Sequence, residues 1–176
     1  MSGPSKQPFV ISRTFDAPRD LVWKAFTEVE QMKQWWGPKG AEVLHAKMDL
    51  RPGGMFHYRM RFMNNDMWGR FIYREIDPPK RIVFVSSFSD EQGGITRHPM
   101  SPTWPREMLT TITFDEQAGL PAGQAGNTTF TVRWIPINAT EEEWKAFEAG
   151  RGSMQQGWGG TFDRFAGYLA KAKSGT

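Results

Sequence analysis

Trp158-Gly159-Gly160-Thr161-Phe162-Asp163-Arg164-Phe165-Ala166-Gly167-Tyr168-Leu169 closes a C-terminal segment that runs from Thr140 to Lys171. Along that segment the large apolar residues stand at Trp144, Phe147, Met154, Trp158, Phe162, Phe165 and Leu169. Steps of three, four and seven place them on one stripe of a helix. Thr140-Glu141-Glu142-Glu143 has the form of a capping box, which starts that helix. Gly150 and Gly152 weaken it locally and predict a kink there. An apolar stripe of this length must cover something large and concave.

The rest of the chain supplies the concave partner. Phe9 to Phe15 alternates as a strand does. Asp16-Ala17-Pro18 starts a short helix with Asp16 as its expected cap, and Leu21, Val22, Ala25 and Phe26 form its apolar face. A second short helix reaches Trp35-Trp36, and Gly37-Pro38 stops it. Strands are predicted at Val43–Met48, Met55–Met63, Met67–Ile76, Arg81–Phe88, Glu107–Phe114 and Asn127–Ile135. Arg51-Pro52-Gly53-Gly54, Asn64-Asn65-Asp66 and Asp77-Pro78-Pro79 read as the turns between them, and Ser89–Pro105 as a longer loop. Consecutive strands joined by short turns argue for one antiparallel sheet curling around the last helix.

Composition narrows the functional classes. The chain has 176 residues, 39% hydrophobic and 14% aromatic, which suits one ordered domain with a sizeable core. We assign residues 9–172 to that domain and read 1–8 and 173–176 as tails. With no cysteine, disulfides, thiolate metal sites and thiol nucleophiles are excluded. No apolar run approaches the roughly 20 residues of a membrane span. Met1–Pro8 lacks the apolar centre of a signal peptide, so we expect a cytoplasmic protein. A net charge of +3 is too weak to argue for nucleic acid.

Phe15-Asp16-Ala17-Pro18-Arg19-Asp20-Leu21-Val22-Trp23-Lys24-Ala25-Phe26 and Trp35-Trp36-Gly37-Pro38 resemble the opening of the domain named after the activator of Hsp90 ATPase. Asp49-Leu50-Arg51-Pro52-Gly53-Gly54, Tyr73-Arg74-Glu75-Ile76-Asp77-Pro78-Pro79 and Gly157-Trp158 through Tyr168-Leu169 extend the resemblance in order along the chain. It implies a small bacterial-type member of the Bet v 1-like or START-like (SRPBCC) group. The implied fold is α+β: a helix-grip of about seven antiparallel strands around a long C-terminal helix, with two short helices after the first strand and a cavity between sheet and helix. Members of the wider group bind lipids, hormones and polyketides, and a few are cyclases. Members that stimulate the chaperone carry a further N-terminal domain, for which we expect no room in a chain of this length, and the expectation of Hsp90 stimulation is weakened accordingly. Phe71 departs from the family pattern, since a small residue is expected two positions before Tyr73, and an aromatic there narrows a cavity.

Strand parity selects candidate wall residues. On Met55–Met63 one face holds Phe56, Tyr58, Met60 and Phe62, and the other His57, Arg59 and Arg61; the arginines mark the second as the solvent face. On Met67–Ile76, Arg70 and Arg74 mark one face as outer, which turns Met67, Gly69, Phe71, Tyr73 and Glu75 inward. The expected ligand-binding set is Tyr58, Met60, Phe71, Tyr73, Glu75, Met108, Trp134, Met154, Trp158 and Phe162. These residues serve equally as a packed core or as the lining of a hollow one. Glu75 is the sharpest of them: an inward carboxylate among aromatics would have a raised pKa and could anchor a ligand or act as a general acid. The glycines near Gly157–Gly160 either let the helix approach the sheet or leave room beneath it. Trp35-Trp36 is either a lid at the mouth or helix packing.

His45, His57 and His98 form no helical metal motif, no Gly-x-Ser-x-Gly turn is present, and Gly53-Gly54 precedes a strand rather than a helix. We therefore expect no metal and no cofactor. The leading functional reading is a module that binds a small apolar, aromatic or lipid-like ligand. The alternatives are a cyclase-, aromatase- or hydrolase-like enzyme in the same cavity, or a protein-interaction module linked to an Hsp90-type chaperone. An edge strand also offers symmetric pairing into a homodimer, although nothing in the sequence compels it.

Overall fold

The structure is a computed structural model, and it describes residues 6–99, 101–116 and 126–174. Among the described residues the elements are β1 (Phe9–Phe15), α1 (Arg19–Thr27), α2 (Val29–Trp35), β2 (Glu42–Met48), β3 (Met55–Phe62), β4 (Asn65–Asp77), β5 (Arg81–Ser89), β6 (Glu107–Glu116), β7 (Thr128–Ile137), α3 (Glu141–Ala149) and α4 (Arg151–Ser174). The strands form one seven-stranded sheet in the order β1-β7-β6-β5-β4-β3-β2. Every neighbouring pair is antiparallel. This is the helix-grip arrangement, and α4 lies in the concave face.

Aromatic packing holds the grip at the C-terminal half of α4. Phe165 stacks on Trp35 at 3.8 Å and Phe162 meets Phe130 edge-on at 5.8 Å. Phe15 lies 4.9 Å from Phe165, and Phe26 lies 5.7 Å from Phe130. Phe15, Phe26, Trp35, Phe130, Phe162, Phe165 and Leu169 are all buried, so this end of the core is solid. Burying a side chain of this size contributes roughly 1.5–3 kcal/mol, which makes the aromatic cluster the main anchor of α4.

The ends of several elements depart from expectation for local reasons. The residue capping α1 is Pro18, with no side-chain cap; Asp16 instead pairs through its carboxylate with Lys173, at 3.4 Å. The β3–β4 hairpin turns at Met63-Asn64 rather than at Asn64–Asp66. Both turn residues have positive φ, 52° and 65°, and Phe62 pairs directly with Asn65. A two-residue loop with that backbone continues the right-handed twist of the strands, and Asn is among the residues that tolerate it. The capping box at Thr140 forms as predicted, with Glu143 N–H donating to the Thr140 hydroxyl and Thr140 N–H to the Glu143 carboxylate. The final helical segment is broken at Gly150 into α3 and α4, where the kink is predicted.

One correction reaches the candidate site. β4 carries a bulge against β5: Tyr73 pairs with Phe84, but Glu75 pairs with Val83, which leaves Arg74 as the extra residue. An inserted residue reverses the in–out alternation beyond it. Tyr73 still faces inward, only 1% exposed, and Ile76 then turns toward the core opposite the buried Ile82. Glu75 is turned outward, its side chain 50% exposed and 3.4 Å from Arg81. Glu75 is therefore not an inward carboxylate among aromatics.

Candidate functional site

The other half of the core is hollow. A cavity of about 740 Å³ opens between the sheet, the α3–α4 junction and the segment joining β5 to β6. Its sheet wall is made by inward residues of four strands: Tyr58 and Met60 on β3, Phe71 on β4, Phe84 and Ser86 on β5, and Met108 on β6, with Trp134 of β7 beside them. Its helix wall carries Met154 and Trp158, flanked by Ala146, Ala149, Gly150, Ser153, Gly157 and Thr161. These small residues recur at helical spacing beside the large stripe. Phe162, Phe165 and Leu169 of α4 thus meet the solid end, while the small residues face the cavity together with Met154 and Trp158. That second stripe is a sequence signal of the cavity, of which only the glycines near Gly157 were singled out in the sequence.

Seven of the ten residues expected to line a cavity border it: Tyr58, Met60, Phe71, Met108, Trp134, Met154 and Trp158. Tyr73 and Phe162 lie instead in the solid core, each 1% exposed, and Glu75 is on the outer face. Trp36, Phe84, Ser86, His98, Trp104 and Arg106 also line the cavity and stand outside the expected set. The loop residues among them carry no periodicity that could have pointed inward.

The two adjacent tryptophans divide the roles proposed for them. Trp35 is packing: its ring stacks on Phe165 and its indole N–H donates to the Ala25 carbonyl at 3.0 Å. Trp36 is wall, edge-on to Trp158 at 5.8 Å, to Phe71 at 5.4 Å and to Tyr58 at 6.1 Å. Arg164 on α4 fixes this part of the wall. Its guanidinium donates to the carbonyls of Trp36, Gly37 and Pro38 at 3.1, 3.2 and 3.2 Å. Gly37 takes φ +105°, which calls for glycine; an added Cβ would also stand 2.5 Å from Met60 Cε, displacing the flexible tip of that side chain.

On the sheet side, Phe71 stacks on Phe84 at 4.0 Å, which flattens it against the wall. Tyr58 lies over Gly69, its directly opposite partner. The small residue of β4 is thus two positions before Phe71 and accommodates the Tyr58 ring. Burial pushes the Tyr58 phenol above its ordinary pKa, a shift the neighbouring Trp36 indole N–H partly offsets. Trp36 Nε1 and Trp134 Nε1 are both buried without a hydrogen-bond partner.

The cover at the far end is the segment between β5 and β6. Trp104 packs on the helix junction, where a Cβ on Gly150 would come within 2.9 Å of its ring, and lies 6.1 Å from Phe147. His98 stands between Phe88, at 4.8 Å, and Trp104, at 6.4 Å. Burial lowers its pKa and favours the neutral ring. Arg97 ties the segment down, donating to the Pro102 carbonyl at 2.9 Å and to the Glu143 carboxylate at 3.0 Å. Burial alone would raise the pKa of Glu143. The bonds from the Thr140 backbone, Arg97 and the Thr140 hydroxyl outweigh it and hold the carboxyl below the usual range.

His57 sits on the outer sheet face, stacked on Trp68 at 4.7 Å. Among the described residues no three His, Asp or Glu side chains converge as a metal site requires, and no helix is long and apolar enough to cross a membrane.

Residues 16–170 match the family model described as Activator of Hsp90 ATPase homolog 1-like protein. A crystal structure of a Nitrosomonas europaea protein superposes with TM-score 0.71 at 23% identity, covering 97% of this chain and 98% of that one. A Mycobacterium smegmatis protein does so with TM-score 0.72 at 20% identity, covering 94% and 92%. A Chromobacterium violaceum protein gives TM-score 0.61 at 21% identity, covering 93% and 96%. At these identities the likeness is one of fold. Comparison with the curated proteins finds no match.

Proposed function

The chain belongs to the Activator of Hsp90 ATPase homolog 1-like family, and we propose that it binds a small apolar, aromatic or lipid-like molecule in the hollow half of its helix-grip. The observation that carries this reading is the cavity of about 740 Å³, bordered mainly by aromatic and methionine side chains. Its volume falls within the roughly 300–1,000 Å³ of small-molecule sites. The cavity opens to solvent, and a ligand that fills it removes the apolar wall from water, which favours binding. Thioether and indole walls adapt to a ligand's outline. The wall is also braced, by Arg164 at Trp36–Pro38 and by Arg97 and Glu143 at the cover. A braced hollow reduces the ordering cost of binding.

The test is native mass spectrometry of the protein purified without denaturation from its own host, followed by a thermal-shift screen of lipids and aromatic compounds. The expected result is a co-purifying mass or a ligand-dependent rise in Tm. That rise should disappear in Gly157→Leu. Gly157 borders the cavity and has nothing within 4 Å of an added Cβ, so a leucine there grows into the void. An empty protein with no shift across the library would overturn the reading.

A further inference from the structure

The unmatched polar side chains of the cavity wall can all donate, including the Ser87 hydroxyl, which is buried without a partner and can also accept. Among the described residues, those bordering the cavity include no Asp and no Glu. Ser86 is matched to Thr110 at 3.3 Å, and Thr161 donates to the Gly157 carbonyl at 3.0 Å. Each group left over is able to donate. Trp134 Nε1 is buried without an acceptor, and so is Trp36 Nε1. Among the described residues the Tyr58 hydroxyl donates to none, and the exposed Arg106, at the end of the cavity near the β5–β6 segment, makes no ion pair. A buried donor with no acceptor destabilises the empty protein, and a ligand oxygen corrects it. An unpaired guanidinium at the rim, with no carboxylate in the wall to compete, attracts an anion and can grip a carboxylate with two parallel hydrogen bonds. Met60, Phe71, Met108 and Trp158 supply apolar wall, with the Trp36, Tyr58 and Trp134 donors set among them.

We infer that the ligand is an amphipathic carboxylate, with an apolar body among Met60, Phe71, Met108 and Trp158 and its carboxylate at Arg106. This rests on the binding role proposed above and adds the ligand's charge and its direction. An amine-headed ligand would bring a cation against Arg106 with no carboxylate to receive it. A purely hydrocarbon ligand would leave Arg106 without an anion.

The test pairs acids with uncharged counterparts of the same body: decanoate with decan-1-ol, and naphthalene-2-carboxylate with 2-naphthalenemethanol. Decylamine is the reversed charge. Affinities are read by titration calorimetry on the full chain, on Arg106→Gln and on Gly157→Leu. Arg106 is exposed, so its replacement leaves the core intact. We expect at least one acid to bind the wild type roughly three- to tenfold tighter than its alcohol, the range of an exposed charge-assisted contact. Arg106→Gln should remove that preference without weakening the alcohol, and Gly157→Leu should abolish both. Binding of decanoate alone supports an aliphatic body and of naphthoate alone an aromatic one; either supports the proposal. Equal affinity of acid and alcohol, tighter binding of decylamine, or an acid preference that survives Arg106→Gln overturns the carboxylate assignment while leaving cavity binding in place. Acid binding that survives Gly157→Leu places the anion outside the cavity and also overturns it. Failure of acids, alcohols and amine alike overturns the binding role itself.

Discussion

Tyr58 lies directly across from Gly69, so close that a Cβ on Gly69 would overlap its ring and hydroxyl. The pair couples the β3–β4 register to the shape of the cavity, because Tyr58 is part of the wall. Gly69→Ala is expected to force the ring aside and to lower stability by about 1–3 kcal/mol. In a Tyr58→Ala background the same change should cost far less. Urea unfolding of the four proteins in this cycle reads the coupling.

Two glycines of the C-terminal helices should respond in opposite directions. Gly157 has open space where a side chain would go, so Gly157→Ala should raise stability by about 0.5–1 kcal/mol through helix propensity. At Gly150 an added Cβ would stand 2.9 Å from the Trp104 ring and 3.3 Å from the Ala146 carbonyl oxygen. Gly150→Ala should therefore lower the melting temperature. Thermal melts of the two variants check both signs.

Arg164 places one guanidinium nitrogen against three carbonyls. Burial lowers its pKa, though the group stays charged at neutral pH. Arg164→Met keeps much of the stem but removes the donors. The expected loss is about 1–3 kcal/mol, from carbonyls left without a partner. Hydrogen exchange should show faster opening of residues 36–41, whereas β6 and β7 remain protected.

Acid should weaken the cover in two stages. His98 has a folded pKa below its ordinary value, so between the two values the unfolded chain binds more protons. Its contribution is present above about pH 6.5 and is lost as pH falls toward the folded pKa. Glu143 also has a lowered folded pKa. Its contribution is present above the ordinary carboxylate value and is lost only as pH falls through the lower folded one. Denaturant unfolding at pH 7.5 and 5.5 should show lower stability at 5.5, with a smaller difference in His98→Gln. An unchanged difference in that variant would remove His98 as the cause.

Glu75→Gln should change stability by no more than about 0.5 kcal/mol, because the carboxylate is half exposed and its partner Arg81 is equally so. Ligand affinity should also be unchanged. A large loss of affinity would return Glu75 to the cavity and contradict the bulge at Arg74.

The legibility of the site followed the length of the pattern. Where a strand alternates without interruption, as in Phe56-His57-Tyr58-Arg59-Met60, each residue's face could be read from the positions of the arginines. Where β4 bulges at Arg74, the same reasoning put Glu75 on the wrong face. Residues on the segment between β5 and β6, such as His98, Trp104 and Arg106, have no repeat from which a face could be inferred. Phe162 belongs to the same helical stripe as Trp158, yet it meets Phe15 and Phe130 while Trp158 borders the void. Periodicity identifies a shared face and is silent on what stands opposite each turn.

The sequence by itself determined the seven strands in order, the two short helices, the capping box at Thr140, the break near Gly150 and the grip of a sheet on its last helix. Those features arise from local chemistry and from repeats of two and three-to-four residues, which a linear reading contains. Tertiary structure alone decided that the core is solid around Phe162 and Phe165 but hollow beside Trp158, and that Glu75 faces water. A void is the difference between the space enclosed by distant strands and the volume of the side chains that fill it. A bulge is a choice of hydrogen-bond register between β4 and β5. Both depend on partners far apart in the chain, and each can be changed by a single residue without disturbing the pattern around it.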